Sequence, residues 1–478
     1  MTLAPLLPLL ARVPGVERVA DAASVGAPGV HITAVPAVRP LLAEAVARSR
    51  LTLVITATAR EAEDLAWTLQ DLLGHGVAAE FPSWETLPHE RLSPSVDTVG
   101  RRVAVLRRLH LHEGDPLRVV VAPVRAVLQP LVRGIGALAP IEVREGSTLD
   151  LDAFARDLAE RGYARTELVE RRGQFAIRGG LVDVFPPTEE HPVRVELWGD
   201  TVEEVRSFAV VDQRSLAHVP DGVDILAVRE LLLTPDVRAR AGDLAVRHPA
   251  LAEILDAIAE GMAVEGMEAL APALADGMEL LVECLPRGSV VLLCDPERVR
   301  SRADDLVRTS QEFLEASWHN AAAGNVTPLD LEPLDLEPAA YRSVDDVVAA
   351  ASEAALRWWT TDPFAREDGE PIVVDARSTD GYRGDIGRAL DDIRAWQAAD
   401  AAVALVAEGS GSAERLAQSL RDDGVSASLG DDAPSKGDAV LVCAGRWTEG
   451  FVAPAVALLT ETDLLGQRAA TRDLARMP

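Results

Sequence analysis

Apolar runs alternate with helical repeats over the first 142 residues, and this pattern predicts a parallel α/β layer. Residues 51–57 ("LTLVITA") form a continuous apolar run typical of a buried strand, and residues 60–76 follow with helical spacing and a glycine end. The strand-then-helix order recurs in residues 117–131. Because strands that alternate with helices are joined by crossover connections, we expect parallel strands covered by helices.

The pattern changes near residue 143, where a second kind of unit is predicted. Residues 149–163 ("LDLDAFARDLAERGY") have helical spacing, and short apolar runs separated by turn residues then continue to about residue 230. Helical periodicity returns over residues 236–285, and residues 288–296 ("GSVVLLCDP") predict another buried strand of the first layer. We therefore expect a small α+β domain inserted into the α/β layer.

The last third of the chain predicts a linker and a further small domain. Residues 321–340 include the acidic, proline-rich repeat "PLDLEPLDLEP", whose composition is typical of an exposed linker. Beyond it, apolar runs again alternate with helical stretches and predict a second small α/β domain over residues 370–466. The polar, basic residues 467–478 are expected to begin a linker to further domains.

Composition narrows the function classes. The chain has 478 residues, 48% of them hydrophobic, and 47 Lys and Arg against 76 Asp and Glu give a formal net charge of −29. Such a chain has no general attraction to DNA or to anionic membranes, so weak DNA binding is expected. The three cysteines show no C-x-x-C spacing, which fits a reducing cytoplasm better than a disulfide framework.

One short strand carries an arginine and a tryptophan on its polar side. In "VRVELW", Val193, Val195 and Leu197 share one face by strand period, and Arg194, Glu196 and Trp198 share the other, which should face solvent. Spacing leaves two interpretations open. Trp198 could cover a helix edge while Arg194 pairs with a surface acid, or the face could bind a protein, since tryptophan and arginine dominate interface hot spots.

Four blocks in order resemble the bacterial transcription-repair coupling factors (the Mfd family): residues 81–102, 172–187, 191–200 and 458–466. The resemblance covers the N-terminal portion of that family, and the third block is also similar to the damage-recognition protein UvrB. It implies a UvrB-like α/β fold that docks UvrA. Carried over by position, the implied UvrA-binding residues are Arg178, Arg194 and Trp198.

The resemblance also implies a domain order and further partners. The parent family is an ATP-driven DNA translocase that displaces stalled RNA polymerase and initiates nucleotide excision repair. RNA polymerase and DNA would be contacted only through C-terminal domains beyond this chain, and the distal one would mask the UvrA face. The expected units are a UvrB-like domain in two segments (1–142 and 233–325), the inserted UvrA-binding domain (143–232), a linker with a connecting helix (326–369), a small α/β domain (370–466) and a linker start (467–478).

The nucleotide loop of UvrB-like proteins is degenerate in this sequence. Phosphate binding needs glycines for close backbone approach, a lysine for the phosphates and a hydroxyl for magnesium, as in G-x-x-x-x-G-K-S/T. The corresponding residues 32–47 place Val38 at the glycine, Arg39 at the lysine and Pro40 at the hydroxyl position. Because Pro40 offers neither a hydroxyl nor an N–H, we expect a scaffold without nucleotide binding.

Other signals of chemistry are weak. The three tyrosines are dispersed, and Trp84 and Leu87 in "WETLPHERLSPS" are expected to pack locally rather than read damaged bases. The arginines of residues 101–110 ("RRVAVLRRLH") are interpreted as a solvated helix face. We expect no catalytic residue, cofactor, metal or membrane contact, and a cytoplasmic UvrA-recruiting module. The alternative is a UvrB-type ATPase that contacts damaged DNA directly.

Overall fold

The computed structural model describes residues 2–88, 90, 92–322, 340–364, 370–430 and 439–466. In this part of the chain, strands and helices are numbered β1 to β23 and α1 to α15 in chain order. The strands form one seven-stranded sheet, two six-stranded sheets and two short two-stranded ladders. The result is a mixed α/β protein in which the first sheet is parallel throughout.

The first sheet is built mostly from continuous apolar runs. Every residue of its inner strands β2, β4 and β15 is buried, as expected for parallel strands covered on both faces. Its strands, in spatial order, are β17 (Ile372–Val373), β1 (His31–Thr33), β16 (Arg357–Asp362), β15 (Val290–Cys294), β2 (Thr52–Thr56), β4 (Val119–Pro123) and β3 (Ala78–Glu80).

Helices cover the two faces of this sheet and divide its core into two clusters. One face packs against α1 (Leu7–Leu10), α2 (Val16–Val25), α3 (Arg39–Ala47) and α4 (Ala59–Leu73). The other packs against α5 (Val96–Leu111), α6 (Val124–Leu128), α11 (Pro296–Ala322) and α12 (Val344–Glu353). Short 3-10 helices lie at Ala4–Leu6, Pro36–Val38, Ile135–Ala137, Pro249–Leu251, Met267–Leu270 and Leu281–Cys284.

The first sheet extends into residues that the sequence assigned elsewhere. Arg357–Asp362, expected within the linker region 326–369, pairs in parallel with both His31–Thr33 and Val290–Cys294. Ile372–Val373, expected in the second α/β domain, pairs with β1. The linker assignment was therefore wrong for the strand, whose alternation of buried and half-buried positions is masked by two adjacent tryptophans. Residues 323–339, 365–369 and 467–478 lie outside the described residues.

A small sheet domain is formed by residues that follow β4 and precede β15 in the chain. Its six-stranded sheet has the order β12 (Ser215–His218), β11 (Thr201–Phe208), β10 (Val193–Trp198), β9 (Leu181–Val184), β8 (Gln174–Arg178) and β7 (Ala164–Arg165). Helix α7 (Leu151–Glu160) packs Phe154 and Leu158 onto one face of it. The ladder of β6 (Ile141–Val143) with β13 (Val223–Ile225) brings the two ends of the domain together.

A helical layer follows the small domain before the chain returns to the first sheet. It contains α8 (Pro235–Arg247), α9 (Ala252–Ala259) and α10 (Ala271–Leu274), which bury a core of their own. The ladder of β5 (Leu131–Val132) with β14 (Met278–Glu279) joins this layer to the first domain.

The second α/β domain packs directly against the first. Its sheet has the order β18 (Arg377–Ser378), β22 (Phe451–Ala453), β23 (Val456–Thr460), β19 (Ala402–Ala407), β21 (Val440–Ala444) and β20 (Ala427–Leu429), with helices α13 (Ile386–Ala398), α14 (Ser410–Asp422) and α15 (Glu461–Leu465). Trp447 and Phe451 share one core cluster with Leu3 and Leu6 of the first domain. None of the described helices is both long and apolar enough to cross a membrane.

Candidate partner-docking face

The small domain's antiparallel sheet has one apolar and one charged face. Val193 and Val195 are buried in the domain core, as the strand period predicted. On the opposite face, Arg194 lies directly across from Asp183 on β9 and from Arg206 on β11. Because cross-strand partners point to the same side, the charged residues form rows that run across the strands.

Asp183 is the centre of this charged face. Its carboxylate is only 1% exposed, and it accepts hydrogen bonds from Arg194 Nε (2.7 Å) and Arg194 Nη2 (2.9 Å). Arg178 donates a third hydrogen bond to the same carboxylate. A buried carboxylate with two cations is thus fully paired, which removes the penalty of burying its charge.

Arg194 is largely enclosed by the domain itself. Its guanidinium lies 4.6 Å above the centre of the Phe208 ring and donates to the carbonyl of Gln213, which leaves the side chain 15% exposed. The hydrogen bonds to Asp183 raise the pKa of Arg194, although burial opposes this shift. The expectation that Arg194 faces solvent was therefore wrong: it lies on the predicted face but is held inside it.

Arg178 and Trp198, by contrast, are open to solvent. The Arg178 side chain is 45% exposed despite its bond to Asp183, and Trp198 is 80% exposed at the end of β10. A β-bulge between Glu196 and Leu197 shifts the register, so that Trp198 pairs with Thr201 next to the Gly199 turn. Because β10 ends at Trp198, the tryptophan lies at the end of the sheet rather than over its centre.

Sequence reasoning missed two residues of this face. Asp183 organises both arginines, and its signal was present, because Val182 and Val184 on either side are buried in the domain core. Arg206 is 43% exposed and is paired with Glu204, 2.6 Å away on the same strand. The face is therefore an ordered set of ion pairs with Arg178 and Trp198 at its accessible edge.

A buried ion pair fixes the small domain to the first domain. Arg102 on α5 bonds to Glu230 at the end of the small domain, and Trp84 Nε1 donates to the same Glu230 carboxylate at 3.1 Å. The Arg102 guanidinium also lies 4.4 Å above the centre of the Phe81 ring. Trp84 is buried and packs locally, as predicted, whereas the interpretation of Arg102 as part of a solvated face was wrong.

The residues of the degenerate loop are covered by protein groups. Val38 is fully buried in the 3-10 turn that precedes α3, and Pro40 is buried in the first turn of that helix. Arg39 forms an ion pair with Asp295, the residue that follows β15. Trp447 Nε1 of the second α/β domain donates to the Ala37 carbonyl at 3.2 Å.

A cleft of about 190 Å³ lies beside this loop, and its charges are unsuited to phosphate. The carboxylates of Glu61, Asp64 and Glu449 line it together with Arg39. Arg39 is engaged by Asp295, so the acids in the cleft outnumber the available cations. Burial raises the pKa of Asp64, but its carboxylate still occupies the wall where an anion would have to enter.

Other potential chemical groups are dispersed or buried. Among the described residues, no three His, Cys, Asp or Glu side chains are grouped closely enough to hold a metal ion. Burial raises the pKa of the Cys294 thiol to about 11 and also raises that of Cys284 well above its ordinary value. Both thiols are therefore protonated at neutral pH and are poor nucleophiles.

Comparison with known proteins shows similarity along nearly the whole chain. The family model for the UvrB interaction domain matches residues 141–230. The transcription-repair-coupling factor of Mycobacterium tuberculosis (strain CDC 1551 / Oshkosh) is 45% identical over 461 residues, which are 92% of this chain and 37% of the relative. That of Myxococcus xanthus is 37% identical over 257 residues, 51% of this chain and 21% of the relative. The chain thus spans little more than a third of the length of the curated relatives that it matches most fully.

Proposed function

We propose that this chain, as the N-terminal portion of a transcription-repair-coupling factor, is the module through which the whole protein recruits UvrA. The proposed docking surface is the charged face of the small sheet domain, with its accessible edge at Arg178 and Trp198. One observation carries the proposal: within the stretch matched by the UvrB interaction domain, these two residues are exposed on an ordered strand face.

The chemistry of this edge suits a protein partner. A tryptophan that is 80% exposed leaves a large apolar surface in water, and covering it stabilises a complex. Arg178, at the same end of the sheet on β8, offers planar, multidentate hydrogen bonding to carboxylates. We therefore expect UvrA to present acidic groups around an apolar pocket.

The three residues named from the sequence divide into two roles. Arg178 and Trp198 are the proposed contact residues. Arg194 is proposed to act mainly through Asp183, because its bidentate bond fixes the carboxylate that also orients Arg178. Arg194 reaches the partner only through the part of its guanidinium that stays exposed.

The architecture that we propose is a UvrB-like degenerate P-loop domain that carries an inserted UvrA-binding domain over residues 143–232. The chain leaves the first sheet after β4 and returns to it at β15, which supports the insertion. A second small α/β domain follows within residues 370–466. The first strand of that region, Ile372–Val373, belongs to the first sheet, so the proposed domain boundary moves toward Arg377.

We further propose that this chain has no ATPase activity of its own. The Arg39–Asp295 ion pair supports this, because it engages the one cation of the loop, and the Trp447–Ala37 hydrogen bond holds an indole ring against the same loop. The rival function, a UvrB-type ATPase in direct contact with damaged DNA, would require both a free loop and an exposed aromatic hairpin. Trp84, the aromatic residue of that region, is instead buried against Arg102 and Glu230.

For the whole protein, we propose the activity of a cytoplasmic, ATP-driven DNA translocase that displaces stalled RNA polymerase. Its contacts with RNA polymerase and DNA would be made outside this chain. A distal C-terminal domain would mask the docking face until the translocase engages its substrate. These statements rest on the similarity to transcription-repair-coupling factors.

The test is the affinity of the purified chain for UvrA, measured by biolayer interferometry. Trp198→Ala and Arg178→Ala are each expected to weaken binding by about 2 kcal/mol or more, the range of interface hot spots. Arg194→Ala is expected to weaken binding together with a lower melting temperature, because Asp183 loses its bidentate partner.

Matched controls distinguish an effect of the proposed docking face from the general effect of losing an exposed arginine or an exposed aromatic side chain. Arg165→Ala removes an exposed arginine from β7 of the same domain, and Phe364→Ala removes an exposed aromatic residue outside it. Both are expected to change the affinity by less than about 0.5 kcal/mol. Unchanged affinity in Trp198→Ala and Arg178→Ala would contradict the proposed docking face.

A further inference from the structure

A basic cavity lies at the end of the first sheet where its strands begin, and the degenerate loop lies at the other end, after β1. The cavity is formed where β2, β4 and β15 begin, and it has a volume of about 330 Å³. Its basic lining residues are Arg48, Arg50, His112, Arg118 and Arg287. No Asp or Glu lines it, although the whole chain carries a formal net charge of −29.

Three of these arginines have no carboxylate partner among the described residues. Arg50 donates to the carbonyls of Ala23 (3.2 Å) and Ser24 (3.3 Å). Arg118 donates to the carbonyls of Asp115 and Leu117. These bonds orient the guanidinium groups, and the Asp115 carboxylate that lies near Arg118 is itself paired with Arg108. No ion pair within 4 Å is formed by Arg287 in the described part of the chain.

Several other arginines of the first domain are paired with carboxylates. Arg48 is neutralised by Glu44 at 2.9 Å, and Arg108 by Asp115 at 2.8 Å. Arg101 and Arg102 are likewise paired with carboxylates. The cavity is thus a place where three arginines without an ion pair line the same hollow.

A tight turn brings further positive charge to the cavity wall. The Ser289 N–H donates to the Pro286 carbonyl at 3.1 Å, and Gly288 adopts a φ of +80°. Arg357 donates to the Gly288 carbonyl, and a side chain at position 288 would meet this guanidinium at 3.2 Å. The glycine therefore allows Arg357 to approach the turn from behind.

We propose that the basic cavity binds a phosphate-bearing anion through Arg50, Arg118 and Arg287. The forked guanidinium group matches the geometry of phosphate oxygens, and several such groups line this cavity, whose lining contains no acidic side chain. The lining contains no aromatic side chain on which a base could stack, so recognition is directed at the phosphate itself. This site is independent of the proposed UvrA face, which lies on another domain.

The test is isothermal titration of the chain with pyrophosphate, with the ionic strength held constant by KCl. The expected dissociation constant is about 10⁻⁴ M or tighter, as two or three charge-assisted hydrogen bonds provide. Arg118→Ala combined with Arg287→Ala is expected to weaken binding by about tenfold or more. Melting temperatures confirm that the double variant is folded, which is expected because both side chains are exposed.

A second double variant controls for the loss of net charge. Arg165→Ala with Arg302→Ala also removes two exposed arginines, neither of which lines the cavity. Its affinity for pyrophosphate should stay within about twofold of the unmodified chain. Absence of binding, or equal weakening in both double variants, would overturn the proposal.

The source of the phosphate is distinguished by competition. A 5′-phosphorylated single-stranded oligonucleotide that displaces pyrophosphate would identify nucleic-acid phosphate as the ligand. An oligonucleotide that leaves pyrophosphate bound would identify a small phosphorylated molecule. Either result supports the anion site, since both require the same arginines.

Discussion

A single buried carboxylate, that of Asp183, gives the residues of the proposed docking face different structural roles. Asp183 accepts hydrogen bonds from two arginines, and it is almost completely shielded from water. Arg194 therefore contributes to the folded state, whereas Trp198 projects from it and contributes little. Two residues on the same face of one strand thus differ in how much the folded state depends on them.

We expect the stabilities of Arg194→Ala and Trp198→Ala to differ accordingly. Arg194→Ala removes two charge-assisted hydrogen bonds to a buried acceptor and should lower the free energy of unfolding by about 2 kcal/mol. Trp198→Ala should change it by less than about 0.5 kcal/mol, because the side chain is exposed. Urea denaturation followed by circular dichroism measures both, and equal stability of the two variants would show that Arg178 alone satisfies Asp183.

At the scale of elements, the strength of the local pattern decided which strands could be predicted. Continuous apolar runs such as Val290–Cys294 and Thr52–Thr56 indicated buried parallel strands, and the structure confirms them. Arg357–Asp362 was missed because its two tryptophans and two threonines carry no such run. Its place between β1 and β15 is set by tertiary pairing, which a local pattern does not contain.

The same limit applies to the candidate site. The strand period correctly placed Val193 and Val195 in the core and Arg194 and Trp198 on the other side. It could not predict how much of each outer side chain is exposed, because that depends on Asp183, Phe208 and the bulge after Glu196. Resemblance supplied the residue positions, and only the three-dimensional structure shows that Arg178 and Trp198 are exposed while Arg194 is largely enclosed.

Helix α5 provides a test of pH dependence at this scale. Glu85 caps its first turn by accepting hydrogen bonds from Ser95 N (3.2 Å), Ser95 Oγ (2.7 Å) and Thr98 Oγ1. Burial acts to raise the pKa of Glu85, but the hydrogen bonds from Thr98 and Ser95 outweigh it and lower the pKa overall. A depressed folded-state pKa adds stability above the unfolded pKa, and this contribution is lost as the pH falls through the folded value.

Glu85→Gln should therefore lower stability at pH 7 by about 1 kcal/mol or less and have a smaller effect near pH 3. Urea denaturation at the two pH values measures the difference. Glu167→Gln, an exposed carboxylate on the small domain, is the control and should show no comparable pH dependence. A constant difference between Glu85→Gln and the unmodified chain would argue against this capping role.

At the scale of the whole molecule, a buried ion pair joins the small sheet domain to the first domain, beside apolar contacts such as that of Val96 with the small domain's core. Arg102 and Glu230 are fully buried, so each relies on the other for compensation of its charge. Arg102→Met and Glu230→Leu should each lower the free energy of unfolding by about 3 kcal/mol or more. The double variant should lose less than the sum of both, as a thermal double-mutant cycle measures. Strict additivity would show that the two charges are not coupled.

The absence of nucleotide binding at the degenerate loop is a second prediction for the whole molecule. Isothermal titration with Mg-ATP is best carried out on the Arg118→Ala/Arg287→Ala variant, so that the basic cavity does not contribute. No heat of binding and no ATP hydrolysis are expected, because Arg39 is engaged by Asp295 and the Trp447 indole lies against the loop at Ala37. A micromolar dissociation constant in this variant would restore the ATPase alternative.

The strand order of the first sheet also bears on how the chain acquires its structure during synthesis. β1 and β2 are neighbours in sequence, but β16 and β15 lie between them, and β16 ends at residue 362. The sheet therefore lacks its two central strands, β15 and β16, until most of this chain has left the ribosome. The small sheet domain completes its own core within residues 141–230. Its charged face can therefore form before the first sheet is complete.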